Sequence, residues 1–149
     1  METLVLPNDI LLGQITDMLV QGMSVVLRTK GNSMLPFIRG ERDSVELFRT
    51  DSIKENDIVL AHLDNGMYVL HRVISIDGDN VTLMGDGNIR GTEHCTLDDI
   101  CGTVLYILKY NGKKIDCHSS GFLKKSARWR KLLPFRRYIL GIYRRLAIR

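Results

Sequence analysis

Apolar residues recur with a helical period at both ends of the chain. Near the N-terminus this period runs from Asn8, placed as the N-cap after Pro7, through about Gln21, and predicts one amphipathic helix. Its apolar positions are Ile10, Leu11, Ile15, Met18 and Leu19. After Gly121 the helical period returns and continues to the end, interrupted at Pro134. Both ends of the chain are therefore predicted to be helical.

The middle of the chain has short extended apolar runs instead. Residues 25–29, 45–48, 57–63, 67–76, 81–84 and 102–110 are the predicted strands. Turn sequences such as Asn65-Gly66 and Asn111-Gly112 bound most of them. Because no helix-length segment separates these strands, we expect a mainly β fold with an antiparallel sheet. The predicted organisation is an N-terminal helix (1–23), a β domain (24–118) and a helical tail (119–149).

Composition fits one globular domain, but the charge is unevenly distributed. The 149 residues are 44% hydrophobic and 26% charged, which is ordinary for a domain with a packed core. Residues 121–149 hold ten Lys or Arg and no acid, whereas residues 1–120 hold 11 basic and 17 acidic residues. The overall charge of +4 therefore conceals an acidic body and a strongly basic tail.

The basic tail is also amphipathic. A helix beginning near Pro134 places six apolar residues on one face, with arginines opposite and beside it. These six are Phe135, Tyr138, Ile139, Ile142, Tyr143 and Leu146. Aromatic rings between cationic side chains are typical of interfacial helices, so an anionic membrane surface is the expected partner of residues 121–149. Packing of the apolar face on the body or on a partner protein is the alternative, and nucleic acid is the least favoured partner.

Cysteine usage and the N-terminal segment predict the compartment. The three cysteines are odd in number and lack the spacing of a zinc site, which favours free thiols in a reducing environment. Polar residues interrupt the N-terminal apolar segment, so neither a signal peptide nor a spanning helix is predicted. We expect a cytoplasmic protein attached peripherally to the membrane, with no metal and no cofactor.

Ser33 and His71 are the candidate chemical pair. Ser33 lies in a turn bounded by Gly31 and Gly40, and His71 lies on a predicted strand. A hydroxyl held in a rigid turn and an imidazole are the parts of a nucleophile and its base. Taken alone, however, a serine after Gly-Asn is usually a turn residue that bonds to local backbone. The two residues by themselves leave both interpretations open.

Four sequence blocks, taken together, resemble a known peptidase superfamily. The blocks are Ser33-Met34-x-Pro36-x-Ile38-x-x-Gly40, Asp57-Ile58-Val59, His71-Arg72-Val73-Ile74 and Gly85-Asp86-x-Asn88. In order and spacing they resemble signal peptidase I and the LexA-like self-cleaving repressors across about residues 24–110. His71 stands where the bacterial signal peptidases have lysine, so the chain looks like the Ser-His branch of archaea and the endoplasmic reticulum. The resemblance implies the complex antiparallel β-fold of that superfamily.

The same resemblance implies an activity and a set of site residues. It implies a serine endopeptidase that cleaves a leader or exported peptide, a preprotein for example, near the membrane. Ser33 would be the nucleophile, His71 the general base and Asp86 the acid that orients the imidazole. Gly31, Met34 and Pro36 would surround the oxyanion and the substrate, with the Ser33 backbone N–H as oxyanion donor.

Two departures from the pattern keep alternatives open. The second aspartate of the Ser-His branch is missing after Asp86, and Glu93 is the alternative acid. The Gly-Asp pair expected at Gly40 is displaced, so that Asp43 takes the structural role. A LexA-like self-cleaving regulator is the second functional hypothesis, weakened by the single N-terminal helix and the absence of a lysine base. A catalytically inactive binding module with the peptidase fold is the third.

Overall fold

The fold is a single antiparallel sheet flanked by helices. A computed structural model describes residues 8–147, so the predicted helix start at Pro7 and the rest of residues 1–7 lie outside the described part. The elements are α1 (Asn8–Val20), β1 (Val25–Arg28), β2 (Ser44–Phe48), β3 (Ile58–His62), β4 (Tyr68–Asp77), β5 (Asn80–Met84), β6 (Glu93–Thr96), β7 (Ile100–Leu108), β8 (Lys114–Asp116), α2 (Ser120–Lys131) and α3 (Arg136–Ala147). Short 3₁₀ turns at Leu97–Asp99 and Leu133–Phe135 complete the set.

All strand pairs in the sheet are antiparallel. The strand order is β1-β2-β7-β3-β4-β5-β6, and β8 forms a hairpin with β7. The predicted mainly β fold, with one N-terminal helix and C-terminal helices, is confirmed. All six predicted strands are present, and two more appear that the sequence pattern did not predict. These are β6 and β8, which are only four and three residues long and largely polar.

The sheet buries apolar side chains on both of its faces. Along β3, Ile58 and Leu60 enter one core while Val59 and Ala61 enter the other. The first core also receives α1 through Leu19 and α2 through Phe122. The second core lies between β3, β4, β5 and the segment around Cys95. Strands buried on both faces explain why the central strands read as nearly continuous apolar runs.

The loop that carries Ser33 is closed tightly at its base. A Cβ on Gly40 would lie 1.8 Å from the carbonyl oxygen of Gly31, so only glycine fits where the two ends of the loop meet. Next to this contact the fully buried carboxylate of Asp43 accepts the backbone N–H groups of Arg39, at 2.7 Å, and Tyr110, at 3.0 Å. Asp43 is therefore a structural anchor for the serine loop.

The C-terminal helices pack on the body along part of their apolar surface. Phe122, Ser126 and Trp129 of α2 are buried, and Leu140 of α3 is 3% exposed. Leu140 and Trp129 form a third cluster with Leu35, which is fully buried two residues after Ser33. Among residues 8–147 no helix is long and apolar enough to cross a membrane.

The three cysteine thiols are buried and are expected to be unreactive in the folded protein. Burial raises the pKa of the Cys95 thiol to about 11 and that of Cys117 to about 12, and it also raises the pKa of Cys101. At pH 8 a thiol with a pKa of about 11, as for Cys95, has about 100-fold less thiolate to react than one with the ordinary pKa of 9.0. Iodoacetamide should therefore label the native protein slowly and the urea-unfolded protein fully, as measured by intact mass. Rapid labelling of the native protein would contradict the burial of these thiols.

Candidate active site

Ser33 lies at the start of a tight turn that is fixed by backbone hydrogen bonds. The Leu35 N–H donates to the Asn32 carbonyl at 3.3 Å, and the Ile38 N–H donates to the Met34 carbonyl at 3.0 Å. The carbonyl of Ser33 accepts the N–H of Gly87 at 2.7 Å. This last bond joins the serine turn to the Gly85–Asn88 turn that follows β5.

Two glycines allow these turns to approach so closely. A Cβ on Gly85 would lie 2.4 Å from the Ser33 carbonyl oxygen and 3.1 Å from His71 Nε2. A Cβ on Gly87 would lie 2.4 Å from the Asn32 carbonyl oxygen. Because side chains cannot occupy these spaces, both positions require glycine. The Ser33 backbone and the Nε2 edge of the imidazole thus meet at Gly85.

Glu93 is the carboxylate in contact with His71. His71 lies on β4 and is 6% exposed, and its Nδ1 bonds to Oε1 of Glu93 on β6. Strand register explains the pairing. Val73 stands opposite Leu83, and Leu83 stands opposite Glu93, so these side chains share one face of the sheet. His71 lies two residues before Val73 and therefore shares that face.

The expectation that Asp86 orients His71 is corrected by the structure. Both carboxylate oxygens of Asp86 accept from Arg72, at 2.8 Å from Nε and 2.7 Å from Nη2. The Arg72 Nη1 donates to the Asn56 carbonyl at 2.8 Å, and both members of the pair are buried. Arg72 follows His71 directly and so points to the opposite face of β4, where Asp86 meets it. Asp86 anchors its turn to β4, and Glu93 takes the place beside the imidazole.

Ser33 and His71 line the same pocket. Of the residues expected around the oxyanion and substrate, Gly31 and Met34 also line it, whereas Pro36 is half-buried outside the lining. The remaining lining residues are Thr29, Lys30, Ile38, Tyr68, Val69 and Leu70. Sequence reasoning missed this set. Their common position depends on the tertiary structure, which brings the residues after β1 next to β4 although three strands separate β1 from β4 in the sheet.

A second, more apolar groove adjoins this pocket. It shares Thr29, Lys30, Tyr68 and Leu70 with the first, and α1 contributes its wall through two leucines. Leu11 and Leu12 are those residues, and they face Leu27 and Leu60 across the groove. The two cavities together offer a polar end beside Ser33 and an apolar end beneath α1.

A known protein family matches about two thirds of this chain. The family model described as Peptidase S24-like matches residues 6–105, which is more than half of the chain. The chain belongs to the Peptidase S24-like family. It is thus a peptidase-fold protein of the serine-peptidase type, with Ser33, His71, Asp86 and Glu93 all inside the matched region. No curated protein sequence matches the chain.

In this Peptidase S24-like chain, residues after the matched region contact the backbone of the Gly85–Asn88 turn beside the site. Trp129 Nε1 donates to the carbonyl of Asp86 at 2.9 Å, and Arg136 Nη1 donates to the carbonyl of Asn88 at 2.9 Å and to that of Gly85 at 3.4 Å. Burial lowers the pKa of the Arg136 guanidinium, which stacks 5.2 Å above the Trp129 ring. Both residues were expected in a membrane-facing tail, but their side chains are buried against the turn that carries Asp86.

The described residues offer the chemistry of acid, base and nucleophile. Between residues 8 and 147, no group of three or more His, Cys, Asp or Glu side chains is arranged to hold a metal ion. The Glu93 carboxylate on Nδ1 favours a proton at that nitrogen, and in the neutral imidazole this leaves Nε2, on the Gly85 side, as the acceptor. An imidazole held in this way can take a proton from a hydroxyl in the shared pocket.

Proposed function

We propose that this protein is a serine endopeptidase that cleaves a leader or exported peptide near the membrane, with Ser33 as nucleophile, His71 as general base and Glu93 as the residue that orients His71. The single observation that carries the proposal is the Glu93–His71 contact, made on the Nδ1 side, while the Nε2 side meets the serine turn at Gly85. An orienting carboxylate, an imidazole and a serine in this order form the arrangement of a Ser-His-acid triad.

The proposed reaction proceeds through an acyl-enzyme. Ser33 Oγ attacks the scissile carbonyl while Nε2 of His71 takes the hydroxyl proton. The C–N bond then breaks, and the imidazolium gives the proton to the leaving amine. Water, activated by the same imidazole, hydrolyses the ester and restores the serine. The backbone N–H of Ser33 is the proposed donor to the oxyanion.

The pocket geometry supports a peptide substrate. Tyr68, Val69 and Leu70 belong to β4, so one wall of the cleft beside Ser33 is extended backbone. The pairing of β4 with β5 begins only at Arg72, so an extended peptide could lie along this part of β4 and place its apolar side chains in the groove beneath α1. The proposed substrate class is therefore a peptide with apolar residues close to the scissile bond.

Replacement of Glu93 by glutamine tests the proposed triad. Glutamine keeps the side-chain length but removes the charge that stabilises the imidazolium, so we expect kcat to fall on the order of 10²-fold or more with little change in KM. The assay incubates the purified protein with a tiled set of leader peptides, identifies the cut by mass spectrometry and then measures kinetics on the best peptide. Glu46→Gln, a half-buried glutamate on β2, is the control and should leave kcat unchanged.

Two results would contradict the proposal. One is that the wild-type protein cleaves no peptide of the set, and the other is that Glu93→Gln cleaves as fast as wild type.

Self-cleavage is tested by the intact mass of the purified protein after incubation at raised pH, which is expected to show an uncut chain. A cut at one fixed bond within the protein itself would favour the LexA-like regulator instead.

A further inference from the structure

The outer face of α3, together with the last residue of the 3₁₀ turn before it, carries a row of exposed apolar side chains. Phe135, Tyr138, Ile142 and Leu146 are 59%, 66%, 61% and 79% exposed. Their spacing of three, four and four residues places them in one stripe along the helix. The opposite side of the helix is buried on the body through Leu140. We call these four residues the α3 stripe. Two of the six residues expected on one apolar face, Ile139 and Tyr143, instead pack against the body.

The exposed charges of α2 and α3 are all positive. Arg145 is exposed on α3 beside the stripe, and Arg137 and Arg144 are exposed farther around the same helix. The exposed basic residues of α2 are Lys124, Lys125, Arg128 and Lys131. Residues 121–149 contain no acidic side chain that could neutralise them. A matching partner therefore needs a dense negative surface over an apolar interior.

We propose that the α3 stripe docks on an anionic phospholipid bilayer, with Arg145 on the headgroups, the four apolar side chains below it, and the other exposed basic residues of α2 and α3 adding longer-range attraction. An anionic bilayer provides both parts of that match, since its phosphates attract arginine and its acyl region accepts Phe, Ile and Leu. A second copy of the chain is disfavoured because it would place the like charges of two α3 helices side by side. Nucleic acid is disfavoured because its phosphates and bases offer no apolar interior in which Ile142 and Leu146 could be buried.

Docking of this helix would fix the height of the proposed active site above the membrane. The side of α3 away from the stripe holds the Gly85–Asn88 turn through Arg136, and Leu140 packs on Leu35 in the serine loop. Only about one helix diameter, roughly 10 Å, then separates the bilayer from these turns. This second step rests on the proposed function, and it predicts a substrate that is tethered to the membrane and cut close to its surface.

Sedimentation with lipid vesicles tests the docking surface. The full chain is mixed with vesicles of phosphatidylcholine alone or of phosphatidylcholine with phosphatidylglycerol, and we expect binding only to the anionic vesicles. Replacing all four stripe residues by glutamine, which keeps the charge and the helix propensity, should weaken that binding about 10-fold or more. The matched control replaces four apolar residues elsewhere, each 55–59% exposed, by glutamine. The control residues are Val20, Val26, Met67 and Tyr110.

Each other outcome would overturn the docking proposal. It fails if wild type does not bind anionic vesicles, or if the stripe variant, folded by circular dichroism, binds them as well as the control variant does. It also fails if the stripe instead mediates a dimer, seen by light scattering, or if the tail binds RNA and not vesicles. Ser33→Ala should bind vesicles like wild type, and the stripe variant should still cleave a soluble peptide. These two arms separate a failure of lipid binding from a failure of the proposed peptidase activity.

Discussion

Replacing Asp86 by alanine is expected to lower the free energy of unfolding by about 3–5 kcal/mol. The substitution removes both acceptors of the Arg72 fork and leaves a guanidinium that is 0% exposed without its counter-charge. Arg72 is closed off from water, since its guanidinium lies over two adjoining rings, 5.4 Å from the centroid of Phe37 and 5.7 Å from that of Phe122. The Gly85–Asn88 turn would also lose its link to β4. Urea unfolding measures the change.

A double variant and a second carboxylate provide the controls for this prediction. Arg72→Met combined with Asp86→Leu removes both charges together and should recover more than half of the lost stability. Glu93→Gln should cost less than about 1 kcal/mol, because its side chain is 25% exposed and can still accept one hydrogen bond. If Asp86→Ala unfolds at the wild-type urea concentration, the ion pair has no structural role, and Asp86 becomes available again as a catalytic acid.

The pattern of apolar residues predicted most of the fold, because most helices and strands bury apolar side chains in a core. The helix from Asn8 repeats apolar residues with a helical period, and the six predicted strands are short apolar runs, most of them bounded by turn residues. The strands β6 and β8 have no such signal. Glu93–Thr96 is a short edge strand whose partner is β5 alone, and Lys114–Asp116 owes its conformation to the hairpin with β7. Tertiary pairing, which the local sequence does not encode, creates both strands.

The choice between two carboxylates shows where sequence reasoning about the site stopped. The family resemblance makes Asp86 the expected acid and Glu93 the alternative. Strand register decides which of the two reaches His71. Arg72 pairs with Met84, which directs the Asp86 turn to the Arg72 face, whereas the pairing of Leu83 with Glu93 selects the His71 face. The sequence shows how side chains alternate along each strand, but it does not show which residues of β4, β5 and β6 stand opposite one another. The strand β6 was itself not predicted.

The tail shows a similar limit. Helical spacing correctly grouped apolar residues on α3, but it could not say which side of the helix the body covers. Arg136 was expected to flank the apolar face and is instead 3% exposed, with the carbonyl groups of Gly85 and Asn88 accepting hydrogen bonds from its Nη1. The sequence alone does not show that an arginine is buried, because its burial depends on hydrogen-bond partners that only the tertiary structure brings to it. The prediction of a membrane surface for the tail stays a proposal, now narrowed to the α3 stripe.

Replacing Ser33 by alanine is expected to lower kcat/KM for peptide cleavage by about 10⁴-fold or more. The substitution removes the only atom that forms the acyl-enzyme in the proposed mechanism. The loop itself should be unaffected, because Ser33 is half-buried and its carbonyl still accepts the Gly87 N–H. The urea midpoint should therefore stay at the wild-type value. Ser44→Ala, at a half-buried serine on β2, is the matched control and should cleave like wild type.

The most direct test of the Ser33 nucleophile is the rate of peptide cleavage by Ser33→Ala, measured beside wild type and Ser44→Ala on the same leader peptide. The account predicts that wild type and Ser44→Ala cut the peptide at equal rates and that folded Ser33→Ala leaves it intact. Cleavage by folded Ser33→Ala at the wild-type rate would contradict the assignment of Ser33 and, with it, the proposed serine mechanism.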